Sequence, residues 1–186
     1  MTLDAKRAAL LAAIQDLKSC AVAYSGGVDS AVVAKAAAVA LGEKAVAVTG
    51  VSASLASGEL EAAEELAKLI GIRHVVVSTD ELSQNGYTRN APDRCYHCKT
   101  ELYSQLETLL PKLGVNAIVN GANADDLGDY RPGMRAASEH LIHSPLAECG
   151  LTKAEVRQLA AEWDLPVADK PATPCLSSRI AYGEAV

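Results

Sequence analysis

A repeated alternation of short apolar, β-branched runs with longer alanine-rich segments constrains the fold of this chain most strongly. A parallel connection between strands must cross back over the sheet, usually through a helix. The sequence therefore predicts an α/β fold of the Rossmann-like kind, with helices on both faces of a parallel sheet. The predicted strands are 21–24, 45–51, 74–78 and 117–120, and the predicted helices are 5–17, 29–41, 58–70, 99–110 and 153–164.

Size and charge narrow the classes of protein that remain. The chain has 186 residues, 49% of them hydrophobic, and a formal net charge of −6. A chain of this length can bury one sizeable core, so we expect a single domain over 1–186 rather than a disordered chain. The acidic balance and the lack of Lys/Arg runs argue against nucleic acid as a partner. Charges interrupt every apolar stretch, which predicts neither a membrane span nor a signal peptide and hence a cytoplasmic location.

A compact motif, SGGVDS at 25–30, stands where the first predicted strand meets a helix. Its glycines allow a tight turn and close approach to a ligand, and a helix N-terminus favours phosphate. Ser25 and Ser30 add hydroxyl donors, and Asp29 is explained if it holds Mg²⁺ against phosphate oxygens. The alternative is an ordinary Gly-Gly turn with a serine cap. Neither a Walker P-loop nor the G-x-G-x-x-G fingerprint occurs in the sequence.

A second polar cluster, NGANADDLGDYRPG at 120–133, follows the fourth predicted strand. Ligands of open α/β sheets bind at the carboxyl ends of strands, so this cluster and the first motif are expected to face one crevice. Asn123 is a candidate donor to ATP, Asp125 or Asp126 a candidate metal ligand, and Arg131 a candidate anion ligand. A solvated turn rich in Asn, Asp and Gly is the alternative.

Five cysteines are an odd number in a chain that needs no disulfide framework, so metal or redox chemistry is the better hypothesis. Cys95 and Cys98 form a C-x-x-C pair, and Cys175 lies far downstream. This pattern is compatible with an iron–sulfur site, a redox pair, or a zinc site completed by His97 and Cys175. Cys20 and Cys149 are the remaining two, and we expect them to be small buried hydrophobes.

The SGGVDS motif resembles the PP-loop of ATP pyrophosphatases, which activate a substrate oxygen as an adenylate and release pyrophosphate. Together with NADDLGDYRPG and CLSSR followed by Tyr182-Gly183, in this order, it resembles the LarE family of PP-loop sulfur transferases over nearly the whole chain. That family supplies sulfur to a pyridinium mononucleotide during synthesis of a nickel-pincer cofactor. One version sacrifices the cysteine at the position of Cys175, whereas a three-cysteine version holds a 4Fe–4S cluster.

This chain has the three-cysteine pattern, so the resemblance implies cluster ligation by Cys95, Cys98 and Cys175, with one iron open to an exchangeable sulfide. It also implies ATP and Mg²⁺ as cofactors, Cys175 and Asp29 as catalytic residues, and Asp29 with Asp125 as magnesium ligands. The ATP- and phosphate-binding residues implied in this way are Ser25, Gly26, Gly27, Val28, Asp29, Ser30, Lys99, Asn123, Arg131, Ser177, Ser178 and Arg179. For Lys99 the alternative is a solvated helix-start lysine, and for 176–179 it is an ordinary polar loop.

The resemblance predicts an AMP-forming sulfur transferase acting on a nucleotide-like small molecule. Family members continue for several dozen residues beyond the position of Val186, and that portion carries substrate contacts, metal-binding carboxylates and part of an oligomer interface. The prediction is therefore a PP-loop domain at 1–186 without that portion, and a homo-oligomer in the full-length form. The alternatives are another PP-loop enzyme, for tRNA thiolation or ammonia-dependent amidation, and an ATP-binding module with a structural zinc. The sulfur donor stays open.

Overall fold

Four parallel strands form one sheet in the computed structural model, which describes residues 1–128 and 131–186. The strands are β1 (Cys20–Ala23), β2 (Ala45–Val51), β3 (Arg73–Ser78) and β4 (Ala117–Val119), in the order β3-β2-β1-β4. Cys20 is in register with Ala45 on one side and with Ala117 on the other. The predicted parallel sheet is confirmed, and each strand lies within two residues of its expected position.

Eight α-helices connect and follow these strands in the described part of the chain. They are α1 (Leu3–Asp16), α2 (Val28–Leu41), α3 (Glu59–Ile70), α4 (Asn85–Thr88), α5 (Arg94–Leu113), α6 (Pro132–Glu139), α7 (Pro145–Glu148) and α8 (Lys153–Glu162). In β1 the side chains alternate between the two faces, with Cys20 and Val22 in one hydrophobic cluster and Ala21 and Ala23 in the other. The first cluster takes in α1, α2, α3 and α8, and the second takes in α5 and α6. Helices therefore cover both faces, as predicted.

Helix α2 is the most deeply buried helix of the first cluster, because its many alanine side chains are small and let other helices pack closely around it. It has eight buried residues and packs against α1, α3 and α8. Its 14 residues are well short of the roughly 20 that a bilayer span requires. Among residues 1–128 and 131–186, none of the helices combines the length and apolar character needed to cross a membrane.

The chain direction reverses beside β1, and this reversal determines where a ligand can enter. From β1 the chain proceeds outward to β2 and β3, then returns to place β4 on the opposite side of β1. Connections that leave two neighbouring strands in opposite directions open a crevice at the carboxyl ends of those strands. The loop after β1 and the loop after β4 border this crevice, so both polar motifs flank it as expected.

Helix α5 corrects the sequence prediction at both ends. It begins at Arg94 rather than at residue 99, so Cys95 and Cys98 lie on its first turns instead of in the preceding polar segment. Lys99 is helical, as predicted, but lies further from the helix start. It also continues past Pro111 to Leu113, where Gly114 ends it with φ of +70°. The buried side chain of Arg94 stabilises the early start, and Pro111 near the end interrupts only one backbone hydrogen bond. The short helices α4, α6 and α7 were not predicted.

Candidate active site

The SGGVDS loop makes a sharp turn from β1 into α2. Gly26 has φ of +74°, and a Cβ atom there would lie 3.0 Å from the Cβ atom of Ala63. Only glycine combines that conformation with so close a packing contact. Gly27 is the extended N-cap residue of α2, with φ of −77° and ψ of 161° and no side-chain cap. The first N–H groups of α2 therefore stay available to an anion at the sheet edge.

Two serine hydroxyls lie next to each other on this loop. The Oγ atoms of Ser25 and Ser30 are 3.2 Å apart, and the backbone N–H of Ser25 donates to Ser30 Oγ over 3.2 Å. Ser30 Oγ in turn donates to the carbonyl of Gly27 over 3.0 Å. These bonds tie the two serine side chains to the backbone of their own loop. Pre-ordering of this kind reduces the entropy that ligand binding must overcome.

Two side chains from later parts of the chain donate hydrogen bonds to the carboxylate of Asp29. Asn123 Nδ2 donates to Asp29 Oδ1 over 3.1 Å, and Lys153 Nζ donates to Asp29 Oδ2. Asn123 is 4% exposed, so it joins the two loops rather than facing an open ligand space. Lys153, the first residue of α8, thus places an ammonium group beside a carboxylate of the SGGVDS loop at 25–30, called the phosphate loop below.

The loop after β4 approaches the phosphate loop at a glycine. A Cβ atom at Gly121 would lie 2.8 Å from the backbone nitrogen of Ser30 and 3.0 Å from the carbonyl carbon of Asp29. Contacts this short are essentially absent between real side chains and backbone, so a residue without a Cβ atom is required here. Gly121 therefore lets the two loops touch and brings both motifs to one site.

A cavity of about 690 Å³ opens between these loops and α5. Its volume falls within the range of small-molecule sites in proteins. Ser25, Asp29 and Ser30 line one part, and Cys95, Cys98 and Lys99 line another. Other wall residues come from β2, from α5, from the segment after β4 and from the C-terminal segment: Thr49, Gly50, Leu102, Tyr103, Asn120, Asp126, Arg131, Met134 and Tyr182. The phosphate loop and the C-x-x-C pair thus share one cavity.

The cavity wall formed by α5 carries a positive charge at Lys99 beside the thiol of Cys98. Burial on its own would lower the pKa of Lys99, but the potentials from Tyr103, Cys98, Cys95 and Cys175 outweigh it, and the pKa is raised. Lys99 is therefore a stable ammonium at neutral pH. Burial raises the pKa of the Cys98 thiol to about 11, against a smaller opposing effect of Lys99. Cys175 is among the groups that raise the pKa of both side chains, so the downstream cysteine lies in the same neighbourhood.

Cys175 lines a second, smaller pocket of about 310 Å³ that shares Ser25, Gly27 and Asp29 with the large cavity. The cysteine is exposed, and a short 3₁₀ turn at Leu176–Arg179 follows it. Within that turn Arg179 is exposed and Ser177 is 2% exposed. Ser177 Oγ accepts a hydrogen bond from the hydroxyl of Tyr87 over 2.7 Å. Ser177 therefore faces the protein interior rather than the phosphate loop.

The acidic residues after β4 separate into different roles. Asp125 Oδ2 accepts from the backbone N–H of Lys153 over 2.8 Å, at the N-terminus of α8. Asp126 forms an ion pair of 3.0 Å with Arg131 in the cavity wall. Asp129 and Tyr130, which belong to the predicted motif, lie outside the described residues. Of the motif carboxylates, Asp29 is thus the one on the phosphate loop itself.

In residues 1–128 and 131–186, no three His, Cys, Asp or Glu side chains form a group that could hold a metal ion. Mg²⁺ at nucleotide sites commonly uses one or two carboxylates together with phosphate oxygens, so Asp29 beside the phosphate loop suits that ion. Cys95 and Cys98 are three residues apart on α5 and share one helix face. Cys175 lines the neighbouring pocket, so the structure does not gather the three predicted thiols into one metal-binding group. Thiolates are nevertheless the ligand type that iron–sulfur clusters use.

Sequence reasoning missed two site residues, Lys153 and Arg94. Lys153 follows Thr152, whose capping box with Glu155 predicts a helix start, but nothing local indicates that the ammonium reaches Asp29. Arg94 directly precedes the C-x-x-C pair and is 3% exposed, with its guanidinium bonded to the segment after Cys175. An arginine next to a cysteine motif was the available signal for it. Cys20, as expected, is fully buried, whereas Cys149 is only partly buried.

The crevice beside β1, the glycine turn into α2 and the hydroxyl pair define a nucleotide-binding domain of the PP-loop class. The family described as asparagine synthase matches residues 7–113, more than half of the chain. The ammonia-dependent NAD synthetase of Campylobacter jejuni has the same fold, with a TM-score of 0.72 at 20% identity over 93% of this chain and 80% of that one. The chain belongs to this asparagine synthase family of PP-loop domains.

Two relatives place the chain more finely. The pyridinium-3,5-bisthiocarboxylic acid mononucleotide synthase of Lactiplantibacillus plantarum is 38% identical over 183 residues, covering 98% of this chain and 66% of that protein. This similarity confirms the resemblance to LarE. An uncharacterised protein of Synechocystis sp. is 52% identical over 171 residues, covering 92% of this chain and 64% of the relative. The chain thus spans just under two thirds of the length of these relatives.

Proposed function

We propose that residues 1–186 form the PP-loop domain of an ATP-dependent, AMP-forming sulfur transferase. The acceptor is a carboxylate of a pyridinium mononucleotide, and the product is a thiocarboxylate for nickel-pincer cofactor synthesis. One observation carries the proposal: the phosphate loop and the pair Cys95 and Cys98 line the same 690 Å³ cavity. The 38% identity to the synthase of L. plantarum supports the same acceptor class.

ATP binds with its β- and γ-phosphates on the loop at 25–30. The free N–H groups at the start of α2 and the two serine hydroxyls supply hydrogen bonds to the phosphate oxygens. Lys153 and Lys99 supply positive charge from two sides. Asp29 would hold Mg²⁺, which would supply positive charge to offset that of the departing pyrophosphate. Asp125 is the second proposed ligand, although its carboxylate also caps α8.

In the first step, an oxygen of the acceptor carboxylate attacks the α-phosphorus of ATP. A P–O bond to the acceptor forms, the bond to the β-phosphate breaks, and pyrophosphate leaves. In the second step, a sulfur nucleophile attacks the acyl carbon of the adenylate, and AMP leaves with the electron pair of the broken C–O bond. The protein contributes mainly position and fixed charge, which are the dominant sources of catalysis in such transfers.

The three thiols are the sulfur side of the proposed site. Cys95, Cys98 and Cys175 would hold a 4Fe–4S cluster, which would supply an exchangeable sulfide at an iron without a protein ligand. Two features support this assignment: the shared helix face of Cys95 and Cys98, and the wall residues Ser25, Gly27 and Asp29 that the cavity of this pair shares with the pocket of Cys175. Iron, acid-labile sulfide and zinc per chain, measured after anaerobic reconstitution, test it. Loss of iron in both Cys95→Ala and Cys175→Ala is expected, whereas stoichiometric zinc would refute the cluster.

The decisive experiment for the reaction measures pyrophosphate and AMP released from ATP, Mg²⁺ and a pyridine carboxylate mononucleotide. Asp29→Asn should reduce release by at least about 100-fold, because one preorganised electrostatic contact is worth this much. Asp16→Asn is the matched control, since Asp16 is exposed at the end of α1. Binding of ATP without either product, with a longer relative active in parallel, would favour a nucleotide-binding module instead.

A further inference from the structure

Arg94 is a buried charge that the proposed reaction does not use. It lies on the first turn of α5 and is 3% exposed. Across residues 1–128 and 131–186, no carboxylate forms an ion pair with it. Buried charges are normally paired, because a charge held away from water without an opposite charge is destabilising. A buried arginine with only neutral partners therefore needs an explanation.

The guanidinium contacts are concentrated on the chain that follows Cys175. Arg94 Nη1 donates to the carbonyl of Ser177 over 2.7 Å and also to Asn90 Oδ1. Arg94 Nη2 donates to Ser178 Oγ over 2.9 Å. The ring of Tyr182 lies over the same group, with 5.7 Å from its centroid to Cζ. The planar fork of an arginine fixes such partners in direction as well as distance.

The serine that accepts from Arg94 also contacts the sulfur of the cysteine. Ser178 Oγ lies 3.2 Å from Cys175 Sγ. A thiol is a weak donor, and the serine oxygen is already polarised by the guanidinium. Because Ser178 Oγ already accepts from Arg94, its own hydrogen is free to point to the sulfur. The three side chains thus form a hydrogen-bond relay from Arg94 through Ser178 to Cys175.

Other bonds hold the same segment independently of this relay. The hydroxyl of Tyr87 donates to Ser177 Oγ over 2.7 Å, and the backbone N–H of Leu176 donates to the carbonyl of Ser54 over 3.0 Å. Asn90 Nδ2 donates to the carbonyl of Ala181 over 2.8 Å. The segment thus keeps several attachments when only the Ser178 hydroxyl is removed.

We propose that Arg94 and Ser178 are positioning residues for Cys175, which hold its sulfur in one orientation and place positive charge beside it. The role of that sulfur in catalysis rests on the proposed function, whereas the relay itself is a property of these three side chains. The proposal explains why a guanidinium without an anionic partner is buried at this point.

The relay is tested on the metal-free protein by alkylating Cys175 at one fixed pH with iodoacetate and, separately, with iodoacetamide. Mass spectrometry quantifies the modification at Cys175 alone. Both reagents attack the same sulfur, so the ratio of their rates reports local charge rather than accessibility. Positive charge favours the anionic reagent, and Arg94→Met should lower the ratio roughly three- to tenfold. Ser178→Ala should lower it roughly twofold, and Ser178→Thr should restore it.

Arg89→Met is the matched control, because Arg89 precedes α5, is exposed and pairs with Asp93 over 2.5 Å. It should leave the ratio unchanged. Limited proteolysis reports whether the C-terminal segment 176–186 stays packed against α5 in each variant. If Arg94→Met releases this segment, the alkylation ratio of Ser178→Ala is the deciding measurement. An unchanged ratio in Ser178→Ala with this segment still packed overturns the relay. Absence of pyrophosphate and AMP from the unaltered protein would instead refute the proposed function, and the alkylation ratio would still test the relay.

Discussion

Replacing Gly121 by alanine should destabilise the protein and weaken nucleotide binding together. The new Cβ atom would lie 2.8 Å from the nitrogen of Ser30, whereas ordinary contacts begin at 3.4 Å. The atoms that this Cβ would meet, the nitrogen of Ser30 and the carbonyl carbon of Asp29, both belong to the backbone. One of the two loops must therefore move by several tenths of an ångström. Overpacking of this kind costs about 1–3 kcal/mol. In a chain of this length each kcal/mol lowers Tm by about 2–4 °C, which predicts a drop of about 2–12 °C.

Displacement of the phosphate loop should also reduce ATP affinity about tenfold or more, because small misplacements at such sites are expensive. Thermal unfolding and calorimetric titration with ATP measure the two effects. Gly128→Ala is the matched control, since a Cβ atom at Gly128 would meet nothing within 4 Å. It should change stability by no more than about 0.5 kcal/mol. A Gly121→Ala protein with unaltered Tm and ATP affinity would refute the argument that the two loops touch at this glycine.

Two further predictions concern charge. Lys153→Met removes the ammonium beside Asp29 and should weaken ATP binding about tenfold. The control is Lys44→Met, because Lys44 is exposed just before β2. Equal ATP affinities of the two variants in the calorimetric titration would contradict the role of Lys153. The hydrogen bond from Lys6, together with the N–H at the start of α8, lowers the pKa of Glu155 from 4.5 to about 2. This stabilisation is therefore complete above pH 4.5 and is lost as the pH falls towards 2. Denaturant unfolding should show Glu155→Gln about 1–2 kcal/mol less stable than the unaltered protein at pH 7. This difference in unfolding free energy should shrink as the pH falls below 4.5. A difference that does not change with pH would contradict the assigned role of Glu155.

Local sequence was sufficient for the strands and the long helices. Apolar β-branched runs and alanine-rich segments bury the same faces in almost any α/β packing, so β2 was predicted to the residue at Ala45–Val51. The early start of α5 was not predictable in this way, because Arg94 reads as a polar loop residue until its buried partners are known. Helices α6 and α7 span only eight and four residues, too short for a periodic pattern to be recognised.

In the candidate site, too, the features made by neighbouring residues could be predicted, whereas the contacts between distant residues could not. SGGVDS could be identified from sequence because a strand, two glycines and a helix start are consecutive in the chain. The contacts of Asp29 could not, since Asn123 and Lys153 lie 94 and 124 positions away. Nor could the orientation of Ser177, which sequence grouped with the phosphate ligands and which the fold turns inward to Tyr87.

By itself the sequence determined the class of fold and the place of the glycine turn between β1 and α2, because both depend on residues close together in the chain. Only the tertiary structure decided how these parts meet. The reversal beside β1 brings the loop after β4 against the phosphate loop at Gly121. The buried guanidinium of Arg94 holds the chain that carries Cys175 near α5. Such contacts form between distant segments during packing, and no local pattern encodes their distances.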